Sequence, residues 1–524
     1  MVKMRSDNTS NASWIKTVLP EISAPSLKDN TADVDRLIKG IKKALKTEKV
    51  VVDFSLVKVI PRILNQFDYK VKTILYETQG IWHLIDVVSP DAEQSIYAIS
   101  MDLGSSTVVI RLINIQNGDV VDEISIHNPQ IQIGADILTR IHYAAQEGGL
   151  ARLKGLVVDR INDQIAQLAD KHDINSSSIV GMAVAGNTTM THLFLGLDPY
   201  RICREPYIPV INRLEIMKAG QLGVMINPEA PVFVFPNVGS YFGGDLIAGI
   251  LSSGMSHKNE VSFLIDVGTN AEVVIGNSDW MMACAGAAGP ALEGGVAGMG
   301  MMAGPGVIDK VVIDPETLAF EIRTIGDLPA IGICGSGLID LVAQLFLAGM
   351  IDLRGKFVRD RCKGRLTDID DIRQVVVVYP EESGTGRALC LSQPDIDALI
   401  RSKAAMYTIL TTISNTVNIP LREIESFYVA GTFGTYIDPK SAIVIGMIPD
   451  RPLETYIPLG NTSLEGATMA LVSSRARDEV FQIRDKITYI ELNVNQEFMN
   501  LYSAAKFIPH TDRSLFPSVG IKGY

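Results

Sequence analysis

Apolar and polar positions change their period several times along the chain, and each change predicts an element. Residues 1–30 hold no sustained apolar period; with two prolines and many Ser, Asn and Asp they read as a linker or flexible arm. From Ala32 to Leu45 apolar residues recur at helical spacing. Val50–Leu64 starts strand-like and turns helical, and Tyr69–Val88 reads as a hairpin turned at Gln79-Gly80. Residues 31–95 are therefore expected to form a small α+β domain. The rest, 96–524, alternates strand and helix patterns as one long α/β region.

That region contains an internal echo. Ala98–Leu112 (AISMDLGSSTVVIRL) and Ser262–Gly276 (SFLIDVGTNAEVVIG) are each an apolar strand ending in Asp, a Gly-Ser/Thr turn and a second apolar strand. Both continue through a tight turn, at Asn117-Gly118 and Asn277-Ser278, into a third strand. Two such units in one chain predict two similar subdomains. Helices are expected at Asn187–Leu195, from an N-cap at Ser392 to about Thr416, and after Asp438-Pro439. The apolar window Ile331–Leu353 carries Gly335, Ser336, Gly337, Asp340 and Gln344, which marks a buried helix and not a membrane span.

The length of 524 residues suggests about three domains. Lys+Arg of 47 against Asp+Glu of 59 gives a net charge of −12, which argues against a nucleic-acid-binding protein, since that grip needs clustered cations. The five cysteines, 203, 284, 334, 362 and 390, form no CxxC, so neither a zinc ribbon nor a locally ligated iron–sulfur cluster is expected. With no apolar signal segment at the start, the chain reads as a cytoplasmic protein with reduced thiols and no membrane partner.

Chemistry concentrates in the turns. Asp102-Leu103-Gly104-Ser105-Ser106-Thr107 and Asp266-Val267-Gly268-Thr269-Asn270 end apolar strands. Glycine lets a ligand approach the backbone, and successive N–H groups with hydroxyls can cradle an anion. The aspartates would repel a bare phosphate but suit a phosphate-bound Mg²⁺. One such turn is equally an ordinary hairpin; two in matched contexts point to function. A third, Gly431-Thr432-Phe433-Gly434, follows the strand Phe427–Ala430 and could lie against a flat adenine or serve as a plain strand–helix turn. Asp245, after Gly243-Gly244, opens a helix, where an acid also favours the helix dipole. Gly335-Ser336 at another helix start could receive a phosphate or ribose oxygen, and close packing explains it as well. Gly294–Gly306 (GGVAGMGMMAGPG) reads either as a mobile segment or as a packed loop with methionines filling gaps. His127, His142 and His192 are isolated and have no metal-ligand spacing.

These three turns, in this order, resemble the phosphate-one, phosphate-two and adenosine motifs of the acetate and sugar kinase, heat-shock cognate and actin (ASKHA) superfamily. More closely, NPQIQIGADILTRI, AVAGNTTMTHLFLGLDP, PNVGSYFGGDLIAGI, IDVGTNAEVVIG, GICGSGLIDLV and VAGTFGTYIDPKSAIVIGMIPD resemble the ATPase part of the reductive activators of corrinoid proteins. The likeness covers about residues 96–524, and residues 31–95 resemble the middle domain of the same proteins.

The resemblance implies a two-lobed, actin-like (ribonuclease H-like) α/β ATPase preceded by a small α+β domain, with the nucleotide between lobes that close on ATP. It implies ATP and Mg²⁺ as cofactors, a corrinoid methyl carrier as partner in a methyltransferase system of anaerobic one-carbon metabolism, and a homodimer. Carried over by position, Asp102, Gly104, Ser105, Ser106 and Thr107 belong to the first phosphate turn, Asp266, Gly268, Thr269 and Asn270 to the second, and Gly431, Thr432 and Gly434 to the adenosine turn. Asp102 and Asp266 are the expected Mg²⁺ ligands, with Asp245 and Glu272 as further candidates for the chemistry. Thr432 stands where many superfamily members have a second glycine. The plant-type ferredoxin domain of the family, with its C-x₄-C-x₂-C run, has no counterpart in this sequence. No cluster is therefore expected here, and the electron must come from a low-potential donor such as a ferredoxin domain. A small-molecule kinase and a nucleotide-binding module without turnover are the alternative readings.

Overall fold

The structure, a computed structural model, describes residues 13–91, 95–267, 271–286, 297–362, 364–369, 371–491 and 496–520. The chain divides into two compact units: residues up to Ser252 together with Ser463–Asp485, and Ser253–Thr462 together with the chain from Lys486 onward.

The first unit opens with β1 (Ile15–Val18), β2 (Val50–Val51), β3 (Lys72–Thr78) and β4 (Ile81–Val88), ordered β1-β3-β4-β2. The β3–β4 hairpin turns at Gln79 and Gly80, both at positive φ, as the Gln-Gly pair predicts. Helix Asp33–Leu45 lays Leu37 and Ile41 on this sheet. Residues 13–30 are not a free arm, contrary to expectation. Ile15–Val18 pair with Thr73–Tyr76, and Trp14 is 1% exposed, donating its indole N–H to Ala470 O under the Arg477 guanidinium. Burying that indole offsets the cost of ordering a polar segment.

The second sheet has β5 (Tyr97–Leu103), β6 (Thr107–Asn114), β7 (Val120–His127), β8 (Ile179–Gly186), β9 (Met217–Lys218) and β10 (Pro231–Val234), ordered β7-β6-β5-β8-β10-β9. β5, β6 and β7 are antiparallel, and β8 and β10 run parallel to β5 and β8 in turn. All of β8 is buried, which explains its unbroken run of small and apolar residues. Helix Gly149–Lys171 sends Leu153, Val157, Ile161, Ile165 and Leu168 into this core at helical period. The helices of Ser463–Asp485 return to the same unit: Ser100 and Thr468 hydroxyls meet at 2.9 Å, and Arg111 pairs with Glu465.

The second unit repeats the plan. Its large sheet takes β11 (Ser262–Val267), β12 (Ala271–Gly276) and β13 (Met281–Gly286); β14 (Val307–Ile313), β15 (Phe320–Thr324) and β16 (Gly332–Ile333) form a three-stranded sheet, as do β17 (Leu366–Ile369), β18 (Ile372–Val378) and β19 (Leu389–Ser392). β20 (Ser426–Ala430), β21 (Tyr456–Gly460) and β22 (Ile487–Glu491) complete the large sheet, ordered β21-β20-β11-β12-β13-β22. With the two-residue β9 left out of the numbering, both large sheets contain the order 3-2-1-4-5, so the echo read from the sequence is an echo of topology. Helices Gly335–Leu347 and Gln393–Thr416 fill this unit's core with Leu338, Leu341, Leu345, Leu399, Ile409 and Ile413. The N-cap expected at Ser392 is present, and Asp395 completes a capping box with it. Among the described residues, no helix is long and apolar enough to cross a membrane.

Candidate active site

In the first unit, Asp102 is the penultimate residue of β5, beside Ala185 on the parallel strand β8. The chain then turns through Gly104, where a Cβ would lie 2.5 Å from Thr107 O, so only glycine closes the turn. All three carbonyls of Gly104–Ser106 are engaged from behind. Asn128 Nδ2 donates to Gly104 O at 2.9 Å, Arg140 Nη2 to Ser105 O at 2.7 Å, and Asn128 N to Ser106 O at 2.8 Å. Helix Gly244–Ser253 starts at the same edge. A Cβ on Gly243 would meet Asn187 Cα at 2.5 Å and Gly186 O at 2.9 Å, and one on Gly244 would meet Phe235 Cβ at 2.5 Å. The paired glycines therefore set Asp245 at the carboxyl end of β8, near that of β5. This is the edge where parallel α/β sheets place their ligands. Asp245 Oδ1 accepts from Leu246 N at 2.9 Å.

In the second unit, Asp266 of β11 stands directly opposite Glu272 of β12 and beside Ala430 of β20. Directly opposed residues share a face, so two half-buried carboxylates lie side by side at this strand end. Such oxygen donors suit a hydrated Mg²⁺. Gly268, Thr269 and Asn270, assigned to the second phosphate turn, lie outside the described residues, as does the Thr432 side chain. The turn at 431–434, read from the sequence either as an adenosine turn or as a plain strand–helix turn, is the first part of a six-residue helix, Gly431–Tyr436. Gly431 has φ +72° and faces Asp266: a Cβ there would lie 3.4 Å from Asp266 Oδ1. Gly434 has a packing reason, since its Cβ would fall 2.2 Å from Val429 O. Gly335 and Ser336 begin helix Gly335–Leu347, which neighbours helix Gly431–Tyr436. Its approach to β14 depends on Gly337, where a Cβ would sit 2.4 Å from Ile308 O, and Ser336 Oγ contacts Cys334 Sγ at 3.1 Å.

The other candidates settle into structural places. Of the Gly294–Gly306 segment, residues from Ala297 are described: Met301 N donates to Ile333 O, and Gly332 leaves room for the Met301 sulfur. His192 is fully buried between Thr188 O at 2.7 Å and the Val210 N–H at 3.0 Å, so Nδ1 carries the proton and Nε2 accepts. Cys284, Cys334 and Cys362 are buried. Burial, followed by the Glu272 charge, pushes the Cys284 thiol well above its ordinary range. Among the described residues, no three His, Cys, Asp or Glu side chains group to hold a metal ion.

Family models account for nearly the whole chain. Residues 260–520 match the C-terminal domain of RACo, the ASKHA domain; residues 97–258 match the RACo middle region, and residues 9–94 the RACo linker region. The corrinoid activation enzyme RamQ of Eubacterium limosum is 30% identical over 90% of this chain and 79% of its own length. The chain belongs to the RACo family. A second relative, the Co(II) methylated amine-specific corrinoid protein reductase of Methanosarcina barkeri, is 23% identical over 78% of this chain and 76% of that protein. The solved structure of a reductive activator for corrinoid, iron-sulfur protein superposes with a TM-score of 0.88 at 38% identity, covering 97% of this chain and 81% of that one. The actin-like ASKHA fold expected from the sequence is thus the fold of this RACo member. Residues 31–95, read above as the family's middle domain, fall under its linker-region model, and the middle region is the first large sheet with its helices.

Two buried residues at the first turn escaped the sequence reading. Asn128 and Arg140, 1% and 0% exposed, lie in the segment NPQIQIGADILTRI, which carried the family likeness but no role. Their signals were an Asn-Pro helix start and a lone Arg among apolar helical positions.

Proposed function

We propose that this chain is an ATP-dependent reductive activator of a corrinoid protein. It binds MgATP at the strand-end turns, hydrolyses it, and couples hydrolysis to returning inactive cobalt(II) to cobalt(I) on a corrinoid methyl carrier. The electron comes from a low-potential donor such as a ferredoxin domain, and the working form is a homodimer. The observation that supports this most is the duplicated βββ unit, each with an aspartate ending its first strand, in a member of the RACo family.

In this reading the Gly104–Thr107 turn of the first unit takes phosphate oxygens, with Asp102 at its start as a candidate Mg²⁺ ligand, and in the second unit Asp266 with Glu272 would hold a hydrated Mg²⁺. When bound, that ion neutralises the charge developing on the transferred phosphoryl group. Asp245 orients the attacking water, and the helical turn at Gly431 bounds the adenosine. Coupling requires that the ATP and ADP states differ in affinity for the partner's conformations.

The test is turnover. Asp266→Ala should lower Mg²⁺-dependent hydrolysis by about 100-fold or more while the circular dichroism spectrum is kept. Near-normal hydrolysis in the folded variant contradicts the site. Phosphate transfer to an added metabolite in preference to water would make the chain a kinase. Tight ATP binding without turnover, even with the partner present, would make it a binding module.

A further inference from the structure

Arg140 is 0% exposed, yet its guanidinium donates only to uncharged acceptors. These are Ser105 O at 2.7 Å, Gly134 O at 2.9 Å, Gln130 Oε1 at 3.4 Å and Met190 Sδ at 3.3 Å. Among the described residues no carboxylate stands within ion-pair distance of it. Asp136, whose charge acts on it, is occupied by the Thr139 N–H at 2.8 Å and hydroxyl at 2.6 Å. Buried cations are ordinarily paired. Burial pushes the guanidinium down to about 10, which leaves it protonated at neutral pH. An unmatched positive charge therefore sits under the first phosphate turn.

The turn's backbone points the same way. Asn128 Nδ2 and Arg140 Nη1 both reach Met190 Sδ, at 3.8 and 3.3 Å, so both approach the turn from one side. In a trans peptide the N–H points opposite to the C=O. Holding the carbonyls of Gly104 and Ser105 on that side turns the N–H groups of Ser105 and Ser106 to the other. Among the described residues neither N–H has a partner within the fold. Two successive amides on one side of a turn can together accept an anion.

We infer that Arg140 is a positioning residue for nucleotide binding: it holds the Gly104–Thr107 turn in its phosphate-accepting form, and a bound phosphate balances its charge. The inference rests on the nucleotide site proposed above. Lysine would not substitute fully, because a planar fork serves acceptors spread around it, whereas an ammonium is a point charge.

Calorimetry of the full chain with ADP and with adenosine tests this. The wild-type chain should bind both. Arg140→Met should weaken ADP by about ten- to hundred-fold and leave adenosine unchanged, since only the phosphates meet the turn. Arg140→Lys should weaken ADP several-fold, again sparing adenosine, and it decides the question if Arg140→Met does not fold. Unchanged ADP affinity in a folded Arg140→Met or Arg140→Lys protein overturns the inference, as does an equal loss of ADP and adenosine. A wild-type chain that binds neither ADP nor ATP overturns the nucleotide site itself.

Discussion

Two glycines of the sequence Gly431-Thr-Phe-Gly434 have different reasons to be glycine, and substitution separates them. Gly434→Ala drives a Cβ into Val429 O, 2.2 Å away, and should destabilise the fold by about 1–3 kcal/mol, read as a lowered Tm in differential scanning calorimetry. A normal Tm with lost ATP binding would return Gly434 to the ligand. Thiol labelling reads burial in the same way. Cys203 and Cys390 should react with a disulfide reagent at pH 8, and Cys284 should stay inert until the chain unfolds, because burial holds its thiol protonated. Fast labelling of Cys284 would contradict its place in β13. The strand-end places of Asp102 and Asp266 were legible because an acid closing an apolar strand is a local signal. Arg140 was not, because its partner Ser105 O lies 35 residues away and a lone arginine carries no pattern.

Elements bounded by local chemistry were legible almost to the residue. Ser392 caps helix Gln393–Thr416 and Asn187 caps helix Thr188–Leu195, each through its own side chain. Ser392→Ala should therefore cost about 1 kcal/mol in urea unfolding, and a neutral result would contradict the capping box. β1 was not legible: four residues in a polar stretch show no period, and Trp14 finds Ala470 O 456 residues later. A charge cluster at Asp53 adds a pH dependence. Lys218 bonds to Asp53 and stands 2.6 Å from Glu229, and that bond, with the Ser55 N–H and hydroxyl, holds the Asp53 carboxyl down to about 2. A depressed carboxylate stabilises above its unfolded value near 4 and loses that contribution as pH falls toward 2. Asp53→Asn keeps an N-cap but loses the charge. It should be less stable than wild type at pH 6, with the gap closing between pH 4 and 2. A gap independent of pH would contradict the assignment.

Across the whole molecule, the echo of two DxG strand units was enough to predict two similar subdomains, because repeated strand–turn–strand patterns dictate repeated pairing, while the order of the remaining strands had no mark in the sequence. The return of Ser463–Asp485 to the first unit was not predictable, since a helix pair carries no mark of the sheet it will cover. On the proposed function, the property of the whole molecule is a linkage between nucleotide and partner. If ATP changes affinity for a corrinoid protein, that protein changes ATP affinity by the same factor, typically ~5–150-fold, and paired titrations should return equal ratios. The most direct measurement follows the cobalt absorption bands of a cobalt(II) corrinoid protein mixed with this chain, MgATP and a low-potential donor. The account predicts that cobalt(I) forms only with chain, donor and ATP together, and that a non-hydrolysable ATP analogue does not sustain it. Cobalt(II) corrinoid proteins from the same cell that neither bind the chain nor change their bands in its presence would contradict the account.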